Sequence, residues 1–288
     1  MKKGPLAELL LERFESLPPQ LQVASRFVLD HPDDVALMSM REQAIRAGVS
    51  HSTMMRLARS LGLNSYDDMR ALYAKGLRDP DREFDISDLP DPGKEGPSGI
   101  SLVGRMSDTL AAQVARLGDY TNAGQLIAAA ELLAGARRLF SLGLRAEHAV
   151  AHHFAHMFSA LGEPATLLEG IGGTGVELLR DAGADDVMLT VALEPYLRAT
   201  IETAQQAADR GVAIIAITDS QVSPLARLAR ESVIVTARSH SGFQSMVPAM
   251  AAAEILAGLT AAHRGVNVEK ALEKTKGQLA AFNIYWKT

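Results

Sequence analysis

The 288-residue chain contains no cysteine, which excludes disulfide bonds and thiolate zinc sites and is consistent with a reducing cytoplasm. Glu8 and Glu12 interrupt the leucines near the N-terminus, so we expect no export by a secretory signal. The most apolar stretch, residues 246–262, is rich in alanine and carries Glu254 near its centre. We interpret it as a buried or interface helix rather than a membrane span. The chain is therefore expected to be cytoplasmic, without membrane association, and no motif indicates a cofactor.

The net charge of -5 is unevenly distributed along the chain. Residues 78–99 hold four prolines, three basic and seven acidic side chains, and no helical apolar period, which predicts an exposed linker. This linker accounts for most of the negative charge, so the net charge does not argue against nucleic-acid binding. We therefore predict a first domain over residues 1–77 and a second over residues 100–288.

Residues 1–77 show helical patterning. Ser39 and Glu42 match a capping box, and Gly48 can end the short helix that follows. Ser50 is a suitable N-cap for a second short helix over residues 51–61. Two short helices joined by a glycine-containing turn predict a helix-turn-helix.

The second of these helices carries arginines and hydroxyl side chains but no acid. In a helix-turn-helix, the second helix enters the DNA major groove with its N-terminal residues leading. The predicted DNA contacts are Ser50, His51, Ser52, Thr53, Arg56 and Arg59. A surface helix of an ordinary helical bundle is the alternative. One such motif reads only half of a palindromic operator in double-stranded DNA, so we also predict a homodimer or homotetramer, with residues 246–262 and a histidine-bearing helix as candidate contacts.

The second half of the chain has a different period. Short apolar runs alternate with helical segments, which predicts a mainly parallel five-stranded sheet flanked by helices on both faces. The runs are residues 138–143, 165–169, 186–193, 212–218 and 232–237. The predicted fold class is thus an all-α helix-turn-helix bundle followed by an α/β domain.

The segment SMREQAIRAGVSHSTMMRLARSLGLNSYDDMRALY resembles the N-terminal domain of the RpiR/MurR family of bacterial transcriptional regulators. The family pattern Val-Ser-x-x-Thr-x-x-Arg is matched by Val49, Ser50, Thr53 and Arg56. The α/β half resembles a SIS domain, the sugar-isomerase fold that such regulators use to sense metabolites. The resemblance covers nearly the whole chain and implies a transcriptional regulator of carbohydrate or related carbon metabolism.

Ligands of parallel α/β sheets bind at the carboxyl ends of the strands. After the first strand, Gly143 permits a tight turn and a helix begins near Ala146, whose backbone N–H groups could hold an anion. A glycine required for packing is the alternative. SIS domains commonly place a hydroxyl residue where this chain has Arg145. An arginine there can bind a carboxylate or phosphate bidentately, or else fill the pocket or pair with Glu194.

Phosphosugar-binding SIS domains usually carry a Ser-x-Ser-Gly-x-Thr loop after a middle strand, and residues 191–200 lack its serines and glycine. We therefore predict a small polar or anionic effector other than a plain aldose phosphate. Contacts are expected from this loop and from the loop after the last strand: Glu194, Tyr196, Arg198, Thr200, Ser239, Ser241 and Ser245. Pro195 and Tyr196 could instead only shape the loop. Residues 218–226 are interpreted as a helix entry with a mainly structural role.

His148, His152 and His156 recur at four-residue spacing on one side of a predicted helix. Such a row could hold zinc or nickel, but it also suits a polar helix–helix or dimer interface, and we predict no metal. A sugar-phosphate isomerase with an appended helical domain is the alternative function, with His148, His152 or Glu194 as the base. We favour the regulator over an enzyme, because the phosphate-binding loop is altered and a helix-turn-helix has no catalytic purpose.

Overall fold

The structure, a computed structural model, describes residues 5–63, 65–74, 99–169, 175–237, 244–284 and 286. The chain divides into a helical N-terminal unit and a larger α/β unit. Nearly all of the predicted linker lies outside the described residues, and Gly99 already begins a helix. The domain boundaries therefore stay a prediction.

Residues 5–74, the main part of the N-terminal unit, form helices joined by short connections, with no strand among the described positions. Its side chains form one apolar core, in which Met54 and Leu57 lie beside Val28 and Met69, all four fully buried. The helices are α1 (Pro5–Arg13), α2 (Pro19–Asp30), α3 (Pro32–Leu37), α4 (Met40–Arg46), α5 (His51–Ser60) and α6 (Tyr66–Ala74).

Helix α3 has no counterpart in the sequence analysis. The structure places Pro32 at the first position of α3. Proline is favourable there because its fixed φ suits a helix and its missing N–H would have no intrahelical acceptor. Helix α2 ends at Asp30, and His31 is both its C-cap and the N-cap of α3.

The α/β unit contains a five-stranded sheet in the order β2-β1-β3-β4-β5, and every pairing is parallel. This confirms the predicted fold. The strands are β1 (Arg138–Leu142), β2 (Ala165–Leu168), β3 (Asp186–Val191), β4 (Ala213–Thr218) and β5 (Glu231–Ile234). The helices are α7 (Gly99–Ala115), α8 (Tyr120–Gly135), α9 (His148–Ala160), α10 (Arg198–Asp209), α11 (Val247–His263) and α12 (Val268–Ala281).

The sheet has an apolar core on each face, because successive strand side chains point to opposite sides. Leu189 and Ile215 pack on the side of α8, α9 and α11, whereas Met188 and Ile214 pack on the side of α10. Helix α11, the most apolar stretch of the sequence, buries one side against α8 and α9, as the buried-helix interpretation predicts. None of the described helices is long and apolar enough to cross a membrane.

The connection from β4 to β5 differs from the prediction. Residues 219–230 are all described and form turns without a helix, so the helix-entry interpretation of residues 218–226 is wrong. The Ser220 hydroxyl accepts a hydrogen bond from the Val222 N–H at 3.2 Å. Local bonds of this kind compete with helix formation.

Asp186, at the amino end of β3, is a buried carboxylate that joins two strands. Its side chain is fully buried and accepts hydrogen bonds from Arg137, which precedes β1, and from Arg138, each at 2.8 Å. Burial alone would raise the pKa of Asp186. The hydrogen bonds from the two arginines and from the Gly183 N–H lower it by more than burial raises it, so the pKa lies well below its ordinary value. This group lies at the opposite end of the strands from the expected ligand site, which indicates a structural role.

Candidate functional sites

The predicted helix-turn-helix is present as α4 and α5. The Ser39 N–H donates to the Glu42 carboxylate at 2.9 Å, and the two residues form the predicted capping box. Hydrogen bonds from Ser39 also lower the pKa of Glu42. Gly48 lies in the turn with a φ of +65°, a left-handed conformation that glycine adopts without strain.

A buried amide holds α4 in place. The Gln43 side chain is fully buried and donates to the carbonyl oxygens of Val35 at 3.0 Å and Met38 at 2.9 Å. It also accepts a hydrogen bond from the hydroxyl of Tyr66. Gln43 thus connects α4 to α3 and α6. Sequence analysis did not find this role, because it requires three segments to meet.

Helix α5 buries one side and exposes the other. Met54, Leu57 and Ala58 are buried, whereas the exposed residues are His51, Ser52, Arg56 and Arg59. Positions 52, 56 and 59 share one side of a helix because they are four and three residues apart. The structure therefore presents both arginines and the serine in one row on the exposed side of α5.

Thr53 lies beneath that row. It is only 3% exposed, and its N–H donates to the Ser50 hydroxyl at 3.1 Å. The Thr53 hydroxyl lies 2.8 Å from the Ser50 hydroxyl and accepts a bond from the Arg56 guanidinium at 3.4 Å. A direct contact of Thr53 with DNA stays a prediction. Its position also suits a supporting role under Arg56.

The second candidate site lies at the carboxyl edge of the sheet. Because β2, β1, β3 and β4 are successive neighbours, the residues that follow them lie side by side at this edge. These residues are Glu169 after β2, Arg145 after β1, Glu194 after β3 and Asp219 after β4. The residues that follow these four neighbouring strands therefore include three acids and one arginine.

Gly143 is required for packing where the chain leaves β1. A Cβ at this position would lie 2.5 Å from the carbonyl oxygen of Glu147, far closer than real Cβ atoms approach. The observation supports the packing alternative. The α-helix begins at His148, two residues later than predicted, after a 3-10 turn over Arg145–Glu147. Ala146 is exposed in that turn.

Arg145 is exposed and has a φ of +59°, uncommon for a residue with a side chain. Among the residues that the structure describes, its guanidinium has no ion-pair partner, and the alternative of a pair with Glu194 is not observed. Nearby, His148 Nε2 lies 3.6 Å from a carboxylate oxygen of Glu169.

Asp219 organises the loop between β3 and α10. Its carboxylate accepts hydrogen bonds from the Glu194 N–H and the Tyr196 hydroxyl, both at 2.9 Å. The Gln244 side-chain amide donates to the Glu194 carbonyl, and Tyr196 packs against the core beside α10. Tyr196 therefore shapes the loop, while Glu194 remains exposed. Sequence analysis missed Asp219, although an acid directly after a strand is a signal that could have identified it.

The remaining ligand candidates occupy different environments. The Arg198 side chain is 88% exposed and pairs with Glu202 at 2.6 Å, and Thr200 is buried at the start of α10. Ser239 and Ser241 lie outside the described residues. The Ser245 hydroxyl accepts a hydrogen bond from the Val247 N–H at 3.3 Å. Ligand contacts by these residues stay predictions.

The three histidines lie along one side of α9. Their ring centroids are 5.9 Å apart between His148 and His152 and 6.4 Å apart between His152 and His156. Within the described ranges, no three His, Asp or Glu side chains converge as a metal-ligand set. The neighbouring His153 bonds to Glu254 of α11 at 3.0 Å.

Comparison with known families matches both halves of the chain. Residues 6–79 match the helix-turn-helix domain of the rpiR family, and residues 132–259 match the SIS domain. The first match contains α4 and α5, and the second contains the whole parallel sheet. Together the two matches confirm the family resemblance and the fold class.

Two curated relatives are similar over most of the chain. An uncharacterized HTH-type transcriptional regulator of Caldanaerobacter subterraneus is 23% identical over 95% of this chain and 96% of its own length. The bifunctional protein glk of Burkholderia orbicola is 27% identical over 79% of this chain, which spans 35% of that protein.

Two solved structures share the fold. The sugar isomerase domain of an RpiR transcription factor from Sphaerobacter thermophilus is 26% identical, with a TM-score of 0.56 over 62% of this chain and 99% of that one. The Vibrio vulnificus NanR protein, complexed with ManNAc-6P, is 17% identical, with a TM-score of 0.55 over 95% of this chain and 98% of that one.

Proposed function

This chain belongs to the RpiR family of transcriptional regulators, with a SIS domain after the helix-turn-helix, and we propose that α5 reads a DNA operator while the sheet edge binds an effector. The observation that carries the DNA half is the exposed row Ser52, Arg56 and Arg59, beside which no acid occurs in α5. A regulator of transcription acts where the DNA is, so the proposal places the protein in the cytoplasm.

Arg56 is the proposed base-reading residue. Its guanidinium contacts the Thr53 hydroxyl, which Ser50 holds in turn, so the arginine starts from a supported position on the groove-facing side. Arginine reads guanine bidentately in the major groove. Arg59 lies one turn further along, where a phosphate contact is expected, and His51 and Ser52 lie at the leading end of the helix.

The test uses a duplex selected from random DNA by the wild-type protein, with binding measured by fluorescence anisotropy at several salt concentrations. Arg56→Ala should reduce the free energy of binding to the selected duplex by about 1 to 3 kcal/mol and to a scrambled duplex by much less, because a base contact is sequence-specific. Arg59→Ala should weaken both duplexes and reduce the salt slope by about one.

The matched control is Arg210→Ala, an exposed arginine of the α/β unit that bonds to the Gln206 carbonyl. It should bind as the wild type does. Equal affinity of the Arg56→Ala protein and the wild type for the selected duplex would remove Arg56 from the interface. Selection that yields no preferred sequence would defeat the operator hypothesis itself.

For the effector, we propose a small polar or anionic metabolite whose carboxylate or phosphate binds Arg145. Arg145 is exposed and without an ion pair among the described residues, and it follows β1, which lies between β2 and β3 in the sheet. Glu194, held through its backbone by Asp219, would contact a hydroxyl or a cationic group of the ligand. Ser239, Ser241 and Ser245 are proposed to complete the site, and Gly143 and Ala146 line its base.

The similar NanR protein is complexed with ManNAc-6P, so phosphorylated sugars are the alternative ligand class to test. Isothermal titration should compare hexose phosphates, sugar acids and amino acids on the wild type and the Arg145→Ala protein. We expect the ligand to lie outside the hexose phosphates. Arg145→Ala should reduce its affinity at least about tenfold, because the substitution removes a charge-assisted bidentate contact. Arg230→Ala, at the opposite edge of the sheet, is the control.

Tight binding of a hexose phosphate that Arg145→Ala leaves unchanged would defeat both the ligand class and the assigned residue. In this proposal the SIS domain senses its ligand and does not convert it. A direct assay for aldose–ketose conversion of the same sugar phosphates tests that part. Turnover by the purified protein would favour the isomerase alternative.

A further inference from the structure

The first turn of α5 joins four side chains in one hydrogen-bonded network. The Thr53 N–H donates to the Ser50 hydroxyl oxygen at 3.1 Å, the contact that caps the helix. The Ser50 hydroxyl also lies 2.8 Å from the hydroxyls of Thr53 and of Ser52. The Arg56 guanidinium donates to the Thr53 hydroxyl at 3.4 Å. Each hydroxyl has one proton and two lone pairs, so the partners determine which oxygen donates in each contact.

Thr53 sets the direction of the network, because it is only 3% exposed. A guanidinium only donates, so the contact with Arg56 uses a lone pair of Thr53 and leaves the Thr53 proton in need of an acceptor. Within the described parts of the chain, Ser50 is the one partner of that hydroxyl that can accept. Donation by Ser50 to Thr53 would leave a buried proton without an acceptor, an arrangement that proteins avoid. Thr53 therefore donates to Ser50.

The directions at Ser50 and Ser52 follow from that bond. The N–H and the hydroxyl of Thr53 occupy both lone pairs of the Ser50 oxygen. Ser50 then uses its own proton for its remaining partner and donates to Ser52. Ser52 is exposed, and its own proton has no acceptor among the residues that the structure describes. The network therefore ends in a hydrogen-bond donor on the exposed side of α5.

We propose that this relay makes Ser52 a fixed donor to an acceptor atom of the DNA, and that Thr53 is the residue that positions it. The inference rests on the proposed function, because it needs α5 to lie in the major groove. Acceptors within reach of that helix are phosphate oxygens and the N7, O6 and O4 atoms of the bases. All bonds run in one direction from Arg56 to Ser52, so each polarises the next and strengthens the last donor.

Removal of acceptors from the DNA tests the donor. On the selected duplex, each phosphate of a half-site is replaced in turn by an uncharged methylphosphonate, and each base by an analogue that lacks N7, O6 or O4. Loss of the atom that Ser52 contacts should weaken binding of the wild type about three- to tenfold, the strength of one hydrogen bond. The same replacement should have no further effect on the Ser52→Ala protein.

The type of replacement that shows this coupling distinguishes a phosphate contact from a base contact. Ser60→Ala is the matched control, because Ser60 lies in the same helix and its hydroxyl donates to the Leu57 carbonyl at 2.7 Å, outside the relay. It should respond to every replacement as the wild type does. If each replacement also weakens the Ser52→Ala protein as much as the wild type, Ser52 donates to no atom of the DNA and the proposal is overturned.

The positioning role of Thr53 is tested by its hydroxyl alone. Thr53→Val keeps the shape of the side chain but frees a lone pair of Ser50, so the Ser52 proton is no longer directed outward. Binding to the selected duplex should weaken at least about threefold, and by less in the Ser52→Ala protein, because the two residues act together. Thr53→Ser keeps the hydroxyl and should bind as the wild type does. Circular dichroism checks that each variant retains its helices.

Wild-type affinity of the Thr53→Val protein, or equal weakening by Thr53→Val and Thr53→Ser, would remove the positioning role. Neutron diffraction from crystals of the free full-length protein, exchanged into heavy water, tests the relay without DNA. The deuterium atom of Thr53 should lie towards Ser50, and that of Ser50 towards Ser52. The reverse order would overturn the relay, whereas a selection that yields no preferred duplex defeats the proposed function, so the two failures are distinguishable.

Discussion

At Gly143, on the carboxyl edge of the sheet, the structure leaves no room for a side chain. The chain turns from β1 towards α9 so closely that a Cβ would overlap the Glu147 carbonyl, and this atom belongs to the backbone, which cannot rotate away. The strand and the following turn must therefore separate, or the turn must change, before any side chain fits. The glycine sets the position of Arg145, two residues later.

Gly143→Ala is expected to destabilise the α/β unit by about 1 to 3 kcal/mol, the usual cost of overpacking. Gly104→Ala is its matched control, because Gly104 lies in α7 with nothing within 4 Å of its would-be Cβ. There the added methyl group should be neutral or stabilise by up to about 1 kcal/mol, since alanine is the better helix former. Chemical denaturation of both variants gives the comparison, and equal stabilities would contradict the close approach.

At the scale of the elements, the helix-turn-helix owes its geometry to buried polar groups as well as to its apolar core. Gln43 uses its amide to connect α4 to α3 and α6, with Tyr66 as the third partner. Burial raises the pKa of the Tyr66 phenol, which keeps it protonated as a donor. A nearby phenol, Tyr73, is half-buried, and this partial burial raises its pKa to about 12. Its hydroxyl has no hydrogen-bond partner among the described residues.

The two tyrosines form a matched pair of tests. Tyr66→Phe leaves the Gln43 carbonyl oxygen buried without a donor and should destabilise the helical unit by about 1 to 3 kcal/mol. Tyr73→Phe removes a buried hydroxyl that makes no hydrogen bond to the described residues, so it should be neutral or stabilising. Thermal unfolding by circular dichroism distinguishes them. The opposite order of stabilities would show that the Gln43 network contributes little.

Sequence patterns predicted most of the elements because those patterns are local. Five strands followed from apolar runs, and the two central helices of the first unit followed from Ser39, Gly48 and Ser50, which lie at or near their ends. Roles that depend on distant contacts were missed. Asp219 reaches the Glu194 N–H because β4 lies beside β3, and the sequence pattern does not reveal the order of the strands in the sheet. The burial of Thr53 depends on how α5 is rotated against the core, which its polar side chain does not reveal.

At the scale of the whole molecule, the chain combines two folding units, and a single unfolding midpoint need not describe both. For the effector to control transcription, it must bind one state of the assembled protein more tightly than another. A coupling of about 1 to 3 kcal/mol is typical, and it shifts operator affinity about 5- to 150-fold. The effector site, the reading helices and the subunit contact would then have to act together.

Asp186 predicts how the α/β unit responds to acid. Its pKa is lowered in the folded state, so its contribution to stability is complete well above its ordinary pKa and is lost as the pH falls below about 4. Asp186→Asn should lower the free energy of unfolding by about 2 kcal/mol near neutral pH. This is less than the loss expected when a fully buried ion pair is broken, because both arginines are partly exposed. The difference from the wild type, measured by denaturation at several pH values, should narrow below pH 4. A difference that is constant with pH would contradict the ionic role.

The left-handed backbone of Arg145 has a consequence for how such a protein can change over generations. Glycine and asparagine adopt this conformation more readily than arginine, so either replacement would fit the existing turn and relieve strain of about 1 kcal/mol. The positive charge could therefore be gained or lost by one substitution, while Gly143 and Asp219 keep the loops in place. With Arg145 in the effector site as proposed above, preference for a new effector could arise at position 145 alone, with the scaffold and helix α5 unchanged.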